Sequence, residues 1–134
     1  MSIIRYCTYL VFVAFTFVGC GDSGCNVVPN TTFNITVSQA SHPNVFVAGG
    51  SAYATGGACG LILYNHNGNL LAYDRCSPVN IDAKNRVDID GFLAVDKATG
   101  AKWLLVDGSP SSIAECPLKP YRVSKNGLYY TVYN

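Results

Sequence analysis

Residues 116–134 read CPLKPYRVSKNGLYYTVYN and have the pattern of a β-hairpin. Two runs rich in tyrosine and valine, 121–125 and 129–133, flank the dipeptide Asn126-Gly127. Aromatic and β-branched residues are enriched in strands, and an Asn-Gly pair suits the positive φ angles of a tight hairpin turn. The stretch therefore predicts a strand, a turn and a second, antiparallel strand.

Similar strand and turn signals run back through the chain to Phe33. In FNITV (33–37) the apolar residues alternate, as in a half-buried strand. LLAYD (70–74) is predicted to pair with the strand before the turn NHNGN (65–69). Further strand-like runs lie in residues 44–64, 85–96 and 101–108. With strands about every ten residues and no helix predicted after residue 20, we expect an all-β fold, an antiparallel sandwich or barrel.

The first twenty residues, MSIIRYCTYLVFVAFTFVGC, differ in composition from the rest of the chain. Arg5 precedes an apolar run, 6–18, that is shorter than the about 20 residues needed to span a membrane. This pattern is typical of a secretory signal, and FVGC at its end resembles the lipobox of bacterial lipoproteins. We expect cleavage before Cys20 and lipidation of that cysteine; the alternatives are an ordinary signal peptide or a membrane anchor helix.

This interpretation divides the chain into a signal peptide (1–19), a lipidated cysteine with a flexible tether (20–32) and a β domain (33–134). At 134 residues the chain has room for one small domain. Loss of Arg5 from nine Lys and Arg leaves eight, which balance eight Asp and Glu. A neutral domain without a basic stripe gives no support to nucleic-acid binding.

Four stretches in the β domain resemble a known family when their order and spacing are taken together. They are GGACGLILY, LLAYDRC, VDKATGAKWLLVDGSP and CPLKPYRVSKNGLYYTVYN. Residues 33–134 resemble the Rieske-like lipoproteins of Bacteroidetes and, more distantly, the Rieske ferredoxins. The resemblance implies an antiparallel β-sandwich with two loops at one tip, carrying Cys-x-His and Cys-x-x-His-Gly. In that family two cysteines and two histidines hold a 2Fe–2S cluster.

Only one of those four ligands is present here. Cys76 matches the first cysteine, but Pro78 stands at the position of the first histidine. Gly100 matches the glycine of the second loop, which places Asp96 at the second cysteine and Thr99 at the second histidine. We therefore expect degenerate cluster loops without a cofactor or metal; the alternative is a 2Fe–2S cluster with atypical ligands.

The two histidines offer no substitute metal site. His66 lies in the turn NHNGN and His42 in an early loop, ASHPN, and neither has a cysteine or second histidine at ligand spacing.

Asp88 and Asp90 alternate in RVDIDG and so share one face of a strand. Paired carboxylates can bind calcium or act in acid–base catalysis, but we interpret this pair as the solvated face of an edge strand.

The cysteines that follow Cys20 are an even number in an oxidising compartment, which favours disulfides. They are Cys25, Cys59, Cys76 and Cys116. The topology brings the last three to the tip, so we expect Cys116 to pair with Cys59 or Cys76. Cys25, in the tether, is expected to be unpaired; the alternative for the others is free buried cysteine.

The sequence contains no nucleophile–base constellation or phosphate-binding loop, so we predict that the protein is not an enzyme. The hypothesis is a lipoprotein of the bacterial cell envelope, facing the periplasm or on the outer-membrane surface. It is anchored to the membrane through Cys20, and its cluster-less domain acts as a binding or structural module, with a protein as possible partner. The alternative is a Rieske-type electron-transfer protein.

Overall fold

The structure, a computed structural model, describes residues 24–134. The predicted signal peptide, 1–19, and the predicted lipidation site, Cys20, lie outside the described residues. No helix within the described part is long and apolar enough to cross a membrane.

Ten short strands make up the regular structure of residues 24–134. They are β1 (Asn34–Ser38), β2 (Ser51–Ala54), β3 (Leu61–His66), β4 (Asn69–Asp74), β5 (Asp88–Asp90), β6 (Leu93–Val95), β7 (Lys102–Leu104), β8 (Pro110–Ser112), β9 (Arg122–Asn126) and β10 (Tyr129–Tyr133). Two 3₁₀ turns, Pro43–Phe46 and Ile81–Ala83, are the helical segments of this part of the chain. The predicted all-β class is confirmed.

The strands form three antiparallel sheets, with the orders β1-β10-β9, β2-β3-β4 and β5-β6-β7-β8. The sheet β2-β3-β4 lies between two hydrophobic cores, because the residues of β3 alternate between them. Leu61 and Leu63 belong to a core shared with β1 and β10, whereas Ile62 and Tyr64 belong to a core shared with β6 and β7. This explains why LILY is apolar without interruption: both faces of the strand are buried.

Both predicted hairpins form, the first with the predicted turn residues and the second with a turn one residue later than the predicted Asn126-Gly127. Asn67 and Gly68 have φ angles of 52° and 90°, as a type I′ turn requires, and they join β3 to β4 in the register His66↔Asn69. In the C-terminal hairpin Asn126 pairs with Tyr129, so the two loop residues are Gly127 and Leu128. Gly127, with φ of 63°, supplies the positive angle at the first loop position.

One strand, β8, was not predicted. Its sequence, PSS, has neither an apolar alternation nor aromatic residues. It lies at the edge of its sheet, where a proline is tolerated because one side of the strand has no hydrogen-bonding partner.

Residues 25–30, which we expected to belong to a flexible tether, lie against the domain. Val28 is 5% exposed, and its carbonyl oxygen accepts a hydrogen bond of 3.3 Å from Lys119 Nζ. The same ammonium group also donates to Asn30 Oδ1. The segment is therefore ordered by its contacts with residues 117–120, and the expectation of a flexible tether was wrong for this part of it.

Candidate functional site at the loop tip

The two loops that correspond to the cluster loops meet at one end of the middle sheet. The first follows β4 and contains Cys76 and Ser77; the second joins β6 to β7 and contains Asp96. Ser77 Oγ donates a hydrogen bond of 2.7 Å to Asp96 Oδ2, and both residues are buried. The loops are thus joined to each other by their own side chains.

Asp96 also organises the second loop. Its Oδ1 accepts hydrogen bonds from the backbone nitrogens of Ala98 at 3.0 Å and Thr99 at 3.4 Å. Burial raises the pKa of the Asp96 carboxyl, but hydrogen bonds from Ser77, Thr99 and Ala98 outweigh burial and hold that pKa below its ordinary value. The residue at the position of a cluster ligand is therefore an ionised carboxylate that stabilises the loop.

Gly100 and Thr99, the other residues predicted in the second loop, are structural, as is Trp103 of the strand β7 that follows it. Gly100 has φ of 79°, a conformation that favours glycine, and its backbone nitrogen donates to the Asp96 carbonyl at 2.7 Å. Thr99 Oγ1 accepts a hydrogen bond of 3.3 Å from the backbone nitrogen of Ala101. Trp103 is fully buried, and its indole nitrogen donates to the carbonyl oxygen of Cys116 at 2.8 Å.

Cys76 forms a disulfide with Cys59, and their Cα atoms are 5.0 Å apart. The expected pairing of Cys116 with Cys59 or Cys76 was therefore wrong. The register of the β3–β4 hairpin explains the observed pairing. Leu61 lies opposite Asp74, and the Arg75 nitrogen bonds to the Gly60 carbonyl one step further on, so the next opposed pair is Cys59 and Cys76. In the sequence, the Asn67-Gly68 turn was the feature from which this register, and hence the pairing, could have been predicted.

Cys116 forms its disulfide with Cys25, 91 residues away, with a Cα–Cα distance of 5.2 Å. The expectation that Cys25 is unpaired was also wrong. The pairing follows from the contacts of residues 25–30 with residues 117–120, which bring the two cysteines together. Val27 and Val28, two apolar residues in the supposed tether, were the signal that could have indicated this packing.

A buried carboxylate, Asp74, lies beneath the Cys59–Cys76 disulfide. Its Oδ1 accepts hydrogen bonds from the backbone nitrogens of Cys59 at 3.1 Å and Cys76 at 2.8 Å. Its Oδ2 accepts one from the backbone nitrogen of Ala58 at 2.6 Å and one from the Tyr121 hydroxyl, also at 2.6 Å. Each carboxylate oxygen thus has two donors, which compensates for the full burial of the charge.

Tyr121 is the side-chain partner in this network. Burial, the hydrogen bond to Asp74 and the charge of that carboxylate together raise the pKa of Tyr121 far above its ordinary value. Tyr121 is therefore a permanent donor at any physiological pH. The sequence alone assigned no role to Asp74, because a single aspartate at a strand end carries no motif.

The donor set at the tip does not fit a 2Fe–2S cluster. Sγ of Cys59, a carboxylate oxygen of Asp74 and Sγ of Cys76 lie within 4.8 Å of one another, close enough for a small metal site. The two sulfurs, however, are bonded to each other, and the carboxylate oxygens are fully engaged with hydrogen-bond donors. Pro78 has no ligand atom in its side chain, and the Asp96 carboxylate is held by Ser77.

Within residues 24–134, the remaining candidates of the sequence form no hydrogen bond or ion pair with Asp74 or Asp96. His66 is exposed at the end of β3, beside the hairpin turn, and His42 is half-buried ahead of the first 3₁₀ turn. Asp88 forms ion pairs with Arg75 at 3.0 Å and Lys97 at 3.5 Å on the edge strand β5, and Asp90 is exposed. The interpretation of the aspartate pair as the solvated face of an edge strand is confirmed for Asp90, whereas Asp88 is half-buried and held in ion pairs.

Ile113 is a strained residue beside the second loop. It has φ of 66°, a conformation that costs a β-branched residue about 1–2 kcal/mol, and its side chain is 65% exposed. We expect Ile113→Asn to raise the free energy of unfolding by about 1 kcal/mol, because asparagine tolerates this conformation. Urea unfolding measures the difference. Ile113→Val is the matched control, since valine keeps the branched Cβ and is expected to give no gain.

The ionised state of Asp96 predicts a pH dependence of stability. A carboxyl group whose pKa is lowered by folding stabilises the folded state above its unfolded pKa of about 3.9, and this contribution disappears as the pH falls through the folded value. At pH 7, Asp96→Asn is expected to cost about 1.5–3 kcal/mol, the value of hydrogen bonds to a charged group. The difference from the wild type should shrink below about pH 4. A difference that stays constant in urea unfolding across this range would contradict the assignment.

Comparisons with known proteins give fold relatives but no sequence family. No protein-family model matches the chain, and no curated protein matches it. Among solved structures, a chain in the complex of reduced oxygenase and oxidized ferredoxin in carbazole 1,9a-dioxygenase has a TM-score of 0.55 and 19% identity; 77% of this chain and 94% of that chain are covered. The Sphingomonas yanoikuyae B1 ferredoxin has a TM-score of 0.53 and 15% identity, with 78% and 99% covered.

A third similar structure is the ferredoxin of carbazole 1,9a-dioxygenase from Nocardioides aromaticivorans IC177. It has a TM-score of 0.52 and 14% identity, and the match covers 77% of this chain and 97% of that chain. These likenesses to ferredoxins confirm the predicted Rieske-like fold. At such identities they establish the fold alone.

Proposed function

We propose that this protein is a lipoprotein of the bacterial cell envelope whose Rieske-like domain serves as a binding module without an iron–sulfur cluster. In this proposal it is neither an electron carrier nor an enzyme. It is anchored to the membrane through lipid on Cys20, and it acts by holding a ligand or a protein partner at the membrane.

One observation carries the cluster-less part of the proposal: the ligand positions of both tip loops are used for cross-links within the domain. Cys76 is bonded to Cys59, and Asp96 accepts the hydrogen bond of Ser77. A cluster would require the disulfide to be reduced and a buried hydrogen bond to be broken, and it would still lack histidine ligands. The electron-carrier alternative has no support beyond the fold.

The carboxylates near the tip support a non-catalytic role. Asp74 and Asp96 are each held by several donors, and Asp88 is paired with Arg75. A general base needs a free lone pair directed at a substrate proton. These three carboxylates instead have the partners expected of structural groups.

The Cys25–Cys116 disulfide has a consequence for a chain that is lipidated at Cys20. Only five residue steps separate Cys20 from Cys25, and an extended chain spans at most about 3.5 Å per residue. Cys25 would thus lie within about 18 Å of the lipid anchor, and the Cα atom of Cys116 lies 5.2 Å from that of Cys25. We propose that the module works close to the membrane surface.

Lipidation is tested in cells that express the full chain and are grown with labelled palmitate. We expect label in the wild-type protein and its recovery in the membrane fraction; Cys20→Ala should lose the label and leave that fraction. Cys7→Ala is the matched control, since that cysteine lies in the predicted signal peptide and should not affect labelling. Label retained by Cys20→Ala would overturn the anchor assignment.

A further inference from the structure

An open groove lies beside the tip in the described part of the domain. Its volume is about 640 Å³, within the range of small-molecule sites. It lies between β1 and β2, each an edge strand of its own sheet. Its polar side chains are Thr36, His42, Tyr53, Thr55, Arg75 and Arg86.

These polar groups are mainly hydrogen-bond donors, and no carboxylate lines the groove. Arg75 is fixed in place: Nε donates to the Val87 carbonyl at 3.1 Å, Nη2 pairs with Asp88, and the guanidinium lies 4.0 Å from the ring centre of Tyr53. Asp88, which does not line the groove, offsets part of the positive charge of Arg75. Nη1 has no hydrogen bond within residues 24–134, so Arg75, which lines the groove, keeps donor capacity.

Arg86 supplies the uncompensated charge. Its side chain is exposed and makes no ion pair among residues 24–134, while its backbone is held in a β-bridge to Cys76. The guanidinium is therefore carried by a rigid part of the tip. Apart from Cys59, the rest of the lining is apolar or lacks side chains and is called the floor of the groove below; it consists of Ile35, Ala54, Gly56 and Gly60.

We propose that this groove binds a small organic oxyanion, a carboxylate on an apolar body. The carboxylate pairs with Arg86, with Arg75 and the threonine hydroxyls as further donors, and the apolar body lies on the floor of the groove. Charge-assisted contacts of this kind fix orientation, and apolar burial adds affinity. The inference rests on the proposed binding function and names its ligand class; it does not depend on the lipid anchor.

The test uses benzoate as the probe and benzamide as its neutral match. The full-length ¹⁵N-labelled chain in detergent is titrated with each. We expect saturable amide shifts at Tyr53, Thr55, Gly56 and Gly60 with benzoate, and a response at least tenfold weaker with benzamide. Shifts confined to other residues, an equal response to both probes, or no saturable response would overturn the proposal.

Arginine variants distinguish binding in the groove from attraction of benzoate to the net charge of the protein. Arg86→Gln is expected to weaken benzoate binding about tenfold, because it removes one charge-assisted contact. Arg122→Gln, which removes an exposed arginine from strand β9, whose residues do not line the groove, should leave binding unchanged. Equal losses in both variants would mean that only net charge matters and would contradict the site. Iron content measured on the same samples reports separately on the cluster-less function.

Discussion

Replacement of Asp74 by alanine is expected to lower the free energy of unfolding by about 5 kcal/mol, which is at the edge of the total stability of a small domain. The substitution leaves three backbone N–H groups and the Tyr121 hydroxyl without an acceptor in a buried environment. Each unsatisfied donor carries a desolvation penalty of about 1–3 kcal/mol, partly relieved by water or local rearrangement. We expect the variant to be largely unfolded at 37 °C, measured by circular dichroism and urea unfolding.

Two control variants test whether the loss of stability in Asp74→Ala comes from its hydrogen-bond network. Tyr121→Phe removes one of the donors to Asp74 and should cost about 1–2 kcal/mol, because the carboxylate keeps its backbone partners. Asp82→Ala removes an exposed aspartate from a neighbouring loop and should change stability by less than about 0.5 kcal/mol. If Asp74→Ala were no more harmful than Asp82→Ala, the hydrogen-bond network described for the tip would be wrong.

The second large effect concerns the disulfides, and it differs between them. The Cys25–Cys116 bond closes a loop with a sequence separation of 91, and the Cys59–Cys76 bond one with a separation of 17. In the chain-entropy account a cross-link constrains the unfolded chain more strongly when its loop is longer. We expect Cys25→Ala with Cys116→Ala to cost about 4.6 kcal/mol, and Cys59→Ala with Cys76→Ala about 3.2 kcal/mol.

Paired substitutions also test the connectivity. Each of these double variants should leave the other disulfide intact and contain no free thiol in residues 24–134, as thiol titration of the denatured protein would show. Cys59→Ala with Cys116→Ala serves as the mismatched control, because it should leave two unpaired cysteines, Cys25 and Cys76. Free thiol in a matched pair would contradict the pairing.

Both hairpins could be predicted from the sequence, but only the Asn-Gly pair of the first fixes the register; the second hairpin turns at Gly127-Leu128, one residue after the predicted position. Asn67-Gly68 sets the pairing of β3 with β4, and that register extends to Cys59 and Cys76. Strand β8 could not be predicted, because its pairing depends on the neighbouring strand β7 and not on its own residues. The contact of Cys25 with Cys116 is set by packing across 91 residues; the apolar residues Val27 and Val28 indicate that their segment packs, but not which cysteine it meets.

In the candidate site, too, features set by local sequence could be predicted and features set by long-range packing could not. Cys76, Pro78 and Asp96 could be placed at the tip from the resemblance, because the motifs around them retain their order. The bond from Ser77 to Asp96 and the role of Asp74 depend on how separate elements meet in space. The groove with Arg75 and Arg86 was not anticipated for the same reason: its walls come from β1, β2 and the chain after β4.

The central claim, a tip cross-linked by its own side chains in place of a cluster, is tested most directly by one measurement on the full-length chain. The protein is purified in detergent without oxygen and without reducing agent; iron, acid-labile sulfide and the visible spectrum are measured on one sample, and its disulfides are mapped by mass spectrometry of unreduced peptides. We predict a colourless protein without iron or sulfide, in which Cys59 is linked to Cys76. A reddish-brown protein with iron and sulfide in equal amounts and Cys76 free of Cys59 would contradict the claim and make the chain an electron carrier.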